Sequence, residues 1–191
     1  GYLVSVDTRN SSVMTAAIQA GASIINDVSA LEHDKFSLDV VANSSASVIL
    51  MHMQGQPETM QQEPIYGDVV SDVKGYLVSR VTACEHAGIN RNRIAIDPGI
   101  GFGKTLAQNI LLLKNLCRFS DIGLPIVLGV SRKSFIGRLT NENNPKRRIA
   151  GSLSAGLACV ANGASILRVH DVLETRQALD VWQAIQNNVV D

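Results

Sequence analysis

Short β-type runs alternate with helix-type stretches along the whole chain, and this alternation constrains the fold more than any other feature. Six apolar runs predict strands: Tyr2 to Val6, Ser23 to Ile25, Ser47 to Leu50, Arg93 to Ile96, Pro125 to Val130 and Ser165 to Val169. The stretches between and after them predict helices: Ser11 to Gln19, Lys35 to Ala42, Asp68 to His86, Ala107 to Arg118, Ala150 to Ala161 and Leu173 to Gln186. Six such βα units predict a parallel sheet with right-handed crossovers.

Two α/β architectures fit this alternation: an open, doubly wound sheet and a (β/α)8 TIM barrel. The length of 191 residues favours the open sheet, because a complete barrel typically needs about 250 residues. The polar residues favour the barrel, because every predicted strand ends in a hydrogen-bonding or reactive residue, and a ring is needed to bring six strand ends to one site. The sequence therefore predicts a single domain over residues 1–191, a TIM barrel whose first two βα units are absent from this chain and belong before Gly1.

Composition limits the classes of binding partner and the cellular compartment that we expect for the protein. Lysine and arginine together number 17, as do aspartate and glutamate, so net charge gives no reason to expect nucleic acid or an anionic membrane as a partner. No apolar run approaches the roughly 20 residues of a membrane span. Cys84, Cys117 and Cys159 are far apart in apolar or helical contexts, which predicts buried, reduced thiols in a cytoplasmic protein. A polar stretch containing Pro57 and Pro64 predicts a long loop.

Polar side chains with two kinds of chemistry follow the predicted strands. The first kind offers donors and acceptors suited to a flat, nitrogen-rich heterocycle: Asp7, Asn26, Asp97 and Lys133. The second kind offers positive charge suited to phosphate or carboxylate: Arg132, Arg168 and His170. His52 is as compatible with packing inside the barrel as with a place in the site. The carboxylates do not have the spacing of metal ligands, so we expect no metal bound wholly by this chain.

The segment from Asp97 to Thr105 is the most unusual one, because a strand-end aspartate is followed by three glycines. Glycine permits positive φ and lets a backbone approach a ligand closely. A tight turn would explain the glycines but not the aspartate. The Gly-Lys-Thr at Gly103 is similar to a phosphate-binding P-loop, but only three residues separate it from Gly99 where four are required, so we reject that interpretation.

Two groups of cations suggest a bound anion. Arg132 and Lys133 precede a helical region, where the helix dipole disfavours positive charge. Arg168 and His170 alternate along one predicted strand and therefore share a face. An unpaired arginine inside a barrel would be costly, so both groups predict an anionic ligand at the barrel mouth.

Six segments in order along the chain resemble bacterial dihydropteroate synthases. They are residues 5–8, 25–29, 50–55, 97–105, 131–137 and 167–171, of which the fourth and fifth are highly specific. The fold of that family is a (β/α)8 barrel. The resemblance implies that 6-hydroxymethyl-7,8-dihydropterin diphosphate condenses with p-aminobenzoate to give 7,8-dihydropteroate and pyrophosphate, a step of folate biosynthesis and the target of sulfonamide drugs.

The resemblance also implies roles for individual residues. The pterin ring would be held by Asp7, Asn26, Met51, Asp97, Gly129 and Lys133. The diphosphate would be bound by Arg168 and His170, and p-aminobenzoate by Phe102, Ser131 and Arg132. Asp7, Lys133 and Asp97 would be catalytic, with Asp7 stabilising a pterin cation formed when the diphosphate leaves.

Further expectations concern partners and alternatives. The resemblance implies Mg²⁺ bound with the diphosphate, with its protein ligand in the absent N-terminal units, and a homodimer formed by outer helices of the C-terminal half. Without those units we expect this chain, made alone, to be inactive or poorly folded. The rival functions are a methyltetrahydrofolate-dependent methyltransferase domain and a non-catalytic pterin-binding fragment.

Overall fold

The computed structural model describes residues 2–55 and 64–187, and this part of the chain forms six strands and seven α-helices. The strands are β1 (Ser5–Asp7), β2 (Ile24–Asp27), β3 (Ser47–Met51), β4 (Ile94–Asp97), β5 (Val127–Leu128) and β6 (Ile166–Leu167). The helices are α1 (Ser11–Gln19), α2 (Ser37–Ala42), α3 (Val69–His86), α4 (Leu106–Lys114), α5 (Ser134–Thr140), α6 (Ile149–Ala161) and α7 (Val172–Asn187). Most of the predicted long loop, including Pro57, lies outside the described residues.

The strands are parallel and lie side by side in chain order. β1, β2, β3 and β4 form one ladder series, and β5 pairs with β6. A parallel bridge between Ile96 and Ile126 joins the two groups. This order differs from that of a doubly wound sheet, in which the strand order reverses at a switch point, and agrees with a barrel.

The strand series curls so far that its two ends meet at one side-chain contact. Asp7 Oδ2 at the end of β1 lies 2.5 Å from Arg168 Nη2, just beyond β6. In a flat sheet with strands about 4.8 Å apart, six strands would place these ends about 24 Å from each other. Within the described residues no ladder joins β1 to β6, and the predicted barrel has its two absent units at this gap.

Helix starts are fixed by local hydrogen bonds that the sequence encodes. The Asp68 carboxylate accepts hydrogen bonds from the backbone N–H groups of Val70 and Ser71, which caps α3. Thr105 and Gln108 form a reciprocal capping box at the start of α4, an arrangement that satisfies two otherwise unpaired N–H groups. The α4 cap lies directly after the glycine segment, so it fixes one end of that loop.

The core lies between the strands and the surrounding helices. In β3, the run from Val48 to Met51 is entirely buried, as expected for a parallel strand covered on both sides. Met14 of α1, Leu77 of α3 and Leu112 of α4 are buried in the same cluster. No helix of the described residues is both long and apolar enough to cross a bilayer.

The helix predicted from Ala107 to Arg118 is shorter than expected, and its buried face is different. The spacing of Ile110, Leu113 and Cys117 in the sequence predicts that they share one helical face. In the structure, α4 ends at Lys114 and a 3-10 segment covers Leu116–Ile122. The tighter winding of a 3-10 helix shifts the facing residues. Leu112, Leu116 and Phe119 are buried, whereas Cys117 is exposed. The expectation of three buried thiols is therefore wrong for Cys117 and confirmed for Cys84 and Cys159.

Three strands are shorter than predicted, and the helical region predicted after Lys133 begins with a separate short helix, α5. Tyr2 to Val4 lie before β1 and are exposed. The ladders of β5 and β6 contain two residues each, and the backbone N–H of Arg168, just beyond β6, donates one further hydrogen bond to the Leu128 carbonyl. Helix α5 follows Lys133 directly and carries too short an apolar pattern to be recognised alone.

Candidate active site

The carboxyl ends of the strands surround a cavity of about 210 Å³. Its lining contains nine of the residues predicted for the site: Asn26, Met51, Asp97, Phe102, Gly129, Ser131, Lys133, Arg168 and His170. Val28 and Val169 complete the lining. Neither valine was predicted for the site, although the position of Val28 directly after β2 and of Val169 between Arg168 and His170 was a usable signal. Larger grooves of about 380 and 510 Å³ lie on the outer helices and away from these residues.

Asp97 is the buried carboxylate of this cavity. It ends β4, is 9% exposed, and accepts a hydrogen bond of 2.7 Å from the backbone N–H of Gly99. Burial raises the pKa of the Asp97 carboxyl, while the positive charge of Lys133 and the Gly99 hydrogen bond oppose that rise. A carboxylate in such a place gains strongly from a ligand that donates N–H groups to it.

Lys133 lies opposite Asp97 and connects the cavity to the glycine segment. Its Nζ donates a hydrogen bond to the carbonyl of Ile100 and lies 4.8 Å from the centre of the Phe102 ring. Burial lowers the pKa of Lys133 to about 8, although the Asp97 charge acts in the opposite direction. The lysine therefore offers a donor to a ligand between the Asp97 carboxylate and the Phe102 ring.

Asp7, Asn26 and Arg168 form a chain of polar contacts along the gap side of the cavity. Asn26 Nδ2 donates to Asp7 Oδ1 at 3.0 Å, and Arg168 binds the other carboxylate oxygen of Asp7. Asn26 Oδ1 is buried and finds no hydrogen-bond partner among the described residues. An unpaired buried acceptor is costly, so a ligand N–H would satisfy it. Arg168, which we expected to be unpaired, is instead paired with Asp7.

His170 is held by a serine from the neighbouring strand end. Ser131 Oγ lies 3.0 Å from His170 Nδ1 and accepts a hydrogen bond from the His170 backbone N–H at 3.2 Å. The ring of His170 is exposed at the mouth, whereas Ser131 is buried. The hydroxyl of Ser131 therefore orients the imidazole ring of His170.

Two predicted site residues are absent from the cavity lining. Asp7 borders the lining through Asn26 and Arg168, whereas the side chain of Arg132 is turned toward Asp171. Its guanidinium donates two hydrogen bonds to the Asp171 carboxylate, one of them from Nε at 3.0 Å. Its backbone has a positive φ of 59°, and its N–H donates to Ser152 Oγ. We predicted that a bound anion would compensate for the positive charge at this position. For Arg132, the compensating anion is the carboxylate of Asp171.

Behind the cavity, Lys104 and His52 form a buried pair. The sequence left the role of His52 open and indicated no role for Lys104. Lys104 Nζ is 3.0 Å from His52 Nδ1, and neither residue is in the cavity lining. Burial, followed by the Lys104 charge, lowers the pKa of His52 to about 3, so its imidazole is neutral at pH 7. Burial lowers the pKa of Lys104 to about 7, against the effect of Asp97.

The described residues do not form a protein-held site for Mg²⁺. They contain no group of three or more His, Cys, Asp or Glu side chains that could hold a metal ion. The mouth of the cavity presents Arg168 and His170, which suit anionic oxygens rather than a cation. Hard divalent cations require oxygen ligands, so this donor set does not fit one.

A curled parallel sheet with a polar cavity at its strand ends defines a class: α/β-barrel proteins with a ligand site at the carboxyl ends of their strands. The chain matches the family described as "Pterin binding enzyme" over residues 1–170. It is 47% identical to the dihydropteroate synthase of Neisseria meningitidis serogroup B over 194 aligned positions, which cover 99% of this chain and 68% of that protein.

Solved structures give the same result. The dihydropteroate synthase of Xanthomonas albilineans in complex with 7,8-dihydropteroate has a TM-score of 0.90 and 48% identity, covering 96% of this chain and 69% of that one. The structure of the same protein with 4-aminobenzoic acid also has a TM-score of 0.90 and 48% identity, covering 96% and 65%. This chain belongs to the dihydropteroate synthase family, of whose members it spans about two thirds. The predicted barrel fold and family are confirmed.

Proposed function

We propose that this chain forms the substrate-binding and catalytic part of a dihydropteroate synthase. In the synthase reaction the C–O bond between the pterin methylene group and the diphosphate breaks, and pyrophosphate leaves with the electron pair. The amine of p-aminobenzoate forms the new C–N bond and loses one proton, which gives 7,8-dihydropteroate. The observation that carries the proposal is the convergence of the Asp97 carboxylate with the cations of Lys133 and Arg168 on one cavity.

The pterin ring would lie between the ends of β2, β3 and β4. Asp97 would accept N–H groups of the aminopyrimidinone edge, and the unpaired Asn26 Oδ1 would accept another. Lys133 would donate to a ring acceptor, and Met51 and Gly129 would line the flat faces. Such pairing discriminates strongly against rings that lack these donors, because the buried groups would then stay unpaired.

The diphosphate would lie at the mouth beside Arg168 and His170. Positive charge there stabilises the negative charge that develops on the leaving oxygen. When the diphosphate binds the guanidinium of Arg168, that guanidinium no longer pairs with the carboxylate of Asp7. Asp7 then faces the reacting carbon with a free charge and stabilises the developing pterin cation. Mg²⁺ that arrives with the diphosphate would take its protein ligands from outside the described residues.

The second substrate, p-aminobenzoate, would enter on the side of Phe102 and Lys133. The aromatic ring of Phe102 offers a face for the arylamine, and the lysine offers a charge for its carboxylate. Ser131 would act there through His170, because its hydroxyl is engaged by that residue. Arg132 would hold the segment after β6 through Asp171 rather than bind the substrate.

Two assays on the complete natural protein test this proposal against its rivals. A synthase binds the pterin and releases pyrophosphate only when p-aminobenzoate is added. A non-catalytic fragment binds the pterin without release, and a methyltransferase domain binds methyltetrahydrofolate in preference. Pterin binding without arylamine-dependent pyrophosphate release would contradict the proposed function.

We also infer a homodimer and a cytoplasmic location. An apolar groove of about 510 Å³ between α6 and α7 is lined by Leu157, Trp182 and Ile185 among others, and Val181 and Ile185 are largely exposed. Exposed apolar surface of this kind is typical of protein interfaces. Sedimentation of the Trp182→Lys variant as a monomer would support this surface as the interface. The three free thiols suit a reducing compartment.

A further inference from the structure

Lys104 is one of the most deeply buried side chains in the described part of the chain, at 2% exposure, and no carboxylate binds it directly. Lysine is almost never fully buried without a partner. It lies in the Gly-Lys-Thr sequence that we rejected as a P-loop, and the proposed chemistry does not use it. Its location therefore requires an explanation of its own.

The ammonium group of Lys104 has four acceptors within reach of its three protons. Nζ lies 2.9 Å from the Phe102 carbonyl, 3.0 Å from the Gly99 carbonyl and 3.0 Å from His52 Nδ1, and a longer contact of 3.4 Å reaches the His52 carbonyl. An ammonium has no lone pair, so the imidazole nitrogen accepts and the neutral His52 carries its proton on Nε2. The lysine thus ties both ends of the glycine turn to the end of β3.

The same turn contacts the cavity residue Lys133 at two places. Ile100 gives its carbonyl to Lys133, and the ring of Phe102 lies over the ammonium of Lys133. On the outer side, Asn109 Oδ1 of α4 accepts a hydrogen bond from the backbone N–H of Gly101. Lys104 is the contact that holds the turn from the inside.

We propose that Lys104 is a positioning residue: by binding the carbonyls of Gly99 and Phe102 and the imidazole of His52, it sets where Phe102 meets the p-aminobenzoate substrate. This inference rests on the proposed function and assigns a specificity role within that site. The pterin edge is held mainly by residues of β2 and β4, so loss of the Lys104 contacts acts on one substrate more than on the other.

The test is a steady-state comparison of Lys104→Met with the unaltered complete enzyme. Methionine retains most of the side-chain length and removes the three donors. We expect the KM for p-aminobenzoate to rise about tenfold, because a small displacement of a positioning group is costly. The KM for the pterin diphosphate and kcat should each change less than about threefold. A rise that is equal for both substrates, or no rise, overturns the proposal.

Arg93→Met is the matched control. Arg93 also ties backbone carbonyls together, with Nε and Nη2 donating to Ala46 and Nη2 to Val41, but it does so at the opposite end of the sheet. Its loss lowers stability without touching the site. If Arg93→Met raises the KM for p-aminobenzoate as much as Lys104→Met does, the effect reflects stability and the positioning role is wrong.

If Lys104→Met does not fold, two variants of His52 test the positioning role of Lys104 instead. His52→Asn keeps an acceptor close to the position of Nδ1, whereas His52→Leu removes it. We expect only His52→Leu to raise the KM for p-aminobenzoate, by about threefold. Equal KM values for the two variants would overturn the proposal. Failure of the proposed function is distinguishable, because the unaltered enzyme would then release no pyrophosphate at all.

Discussion

The guanidinium of Arg168 binds the carboxylate of Asp7 across the one gap in the strand series, with 2.5 Å between Nη2 and Oδ2. Their side chains are 63% and 45% exposed, and exposed ion pairs contribute at most about 1 kcal/mol. A diphosphate can therefore displace Asp7 from Arg168 at small cost. Under the proposed function, the contact would couple the arrival of the anionic leaving group to the release of the Asp7 charge.

Arg168→Gln tests which part of the substrate this arginine binds. We expect the affinity for the pterin diphosphate to fall about thirtyfold, since a charged hydrogen bond contributes about 2 kcal/mol. The affinity for 6-hydroxymethyl-7,8-dihydropterin, which lacks the diphosphate, should stay unchanged in calorimetry. Arg176→Gln, which removes an exposed α7 arginine paired with Asp180, is the control. An equal loss for both ligands would place Arg168 on the ring instead.

Asp97→Asn tests the carboxylate at the centre of the cavity. Asparagine retains one oxygen for the Gly99 N–H, so the turn keeps its shape, but the second acceptor and the charge are lost. We expect pterin affinity to fall about a hundredfold, because a ligand N–H then meets an amide donor. Calorimetry and thermal melting measure binding and folding separately. Unchanged pterin affinity in a folded variant would remove Asp97 from this role.

Asp121→Asn serves as the control for that experiment. Asp121 pairs with Lys74 on the surface, far from the strand ends, so the same chemical change there should leave pterin affinity within about twofold. A similar fall in both variants would point to a general effect of lost negative charge.

The barrel and most of its site could be predicted because they depend on periodicity and on strand ends. Asp97, Asn26 and Arg168 each follow an apolar run, and parallel strands bring such positions to one edge whatever their separation in sequence. All three lie together in the structure. Their chemistry was readable from residue type alone.

Side-chain pairing could not be predicted in the same way. Arg132 precedes Lys133 in sequence, yet its positive φ turns it toward Asp171 and away from the cavity. No role was predicted for Lys104 once the P-loop interpretation was rejected, but the glycine turn folds it inward onto His52. Both outcomes depend on backbone dihedral angles within a loop, and hydrophobic periodicity carries no information about those angles.

The pH dependence of stability should report the buried state of His52. Its pKa is 6.5 unfolded and about 3 folded, so between these values only the unfolded chain binds the proton and the free energy of unfolding falls as the pH is lowered. The groups that face its ring are Lys104, Tyr66 and Tyr76. One proton corresponds to a slope of about 1.4 kcal/mol per pH unit.

Urea unfolding of His52→Asn at several pH values measures this contribution. The variant should lose that slope between pH 6.5 and 3, so its stability relative to the unaltered protein should increase as the pH falls. His86→Asn, which changes an exposed histidine, is the control. Parallel curves for His52→Asn and the unaltered protein would contradict the assignment of a neutral, buried imidazole.

Two glycines with positive φ should respond differently to alanine. Gly88 has a φ of 90° and no atom within 4 Å of an added Cβ, so Gly88→Ala should cost only the strain of the left-handed backbone, about 1 kcal/mol. Gly99 has a φ of 72°, and its Cβ would lie 1.9 Å from the His52 carbonyl oxygen. Gly99→Ala must move the turn or β3, and we expect a loss of about 3 kcal/mol or more.

The functional consequence separates the two variants further. The Gly99 N–H binds Asp97 and the Gly99 carbonyl binds Lys104. Because Gly99→Ala moves the N–H that holds Asp97, which loss of the Lys104 contacts alone does not do, this variant should weaken pterin binding as well as raise the KM for p-aminobenzoate. Gly88→Ala should leave both unchanged. Urea unfolding together with steady-state kinetics measures both effects. If Gly99→Ala is no less stable than Gly88→Ala, the close approach of the turn to β3 is not a constraint on this fold.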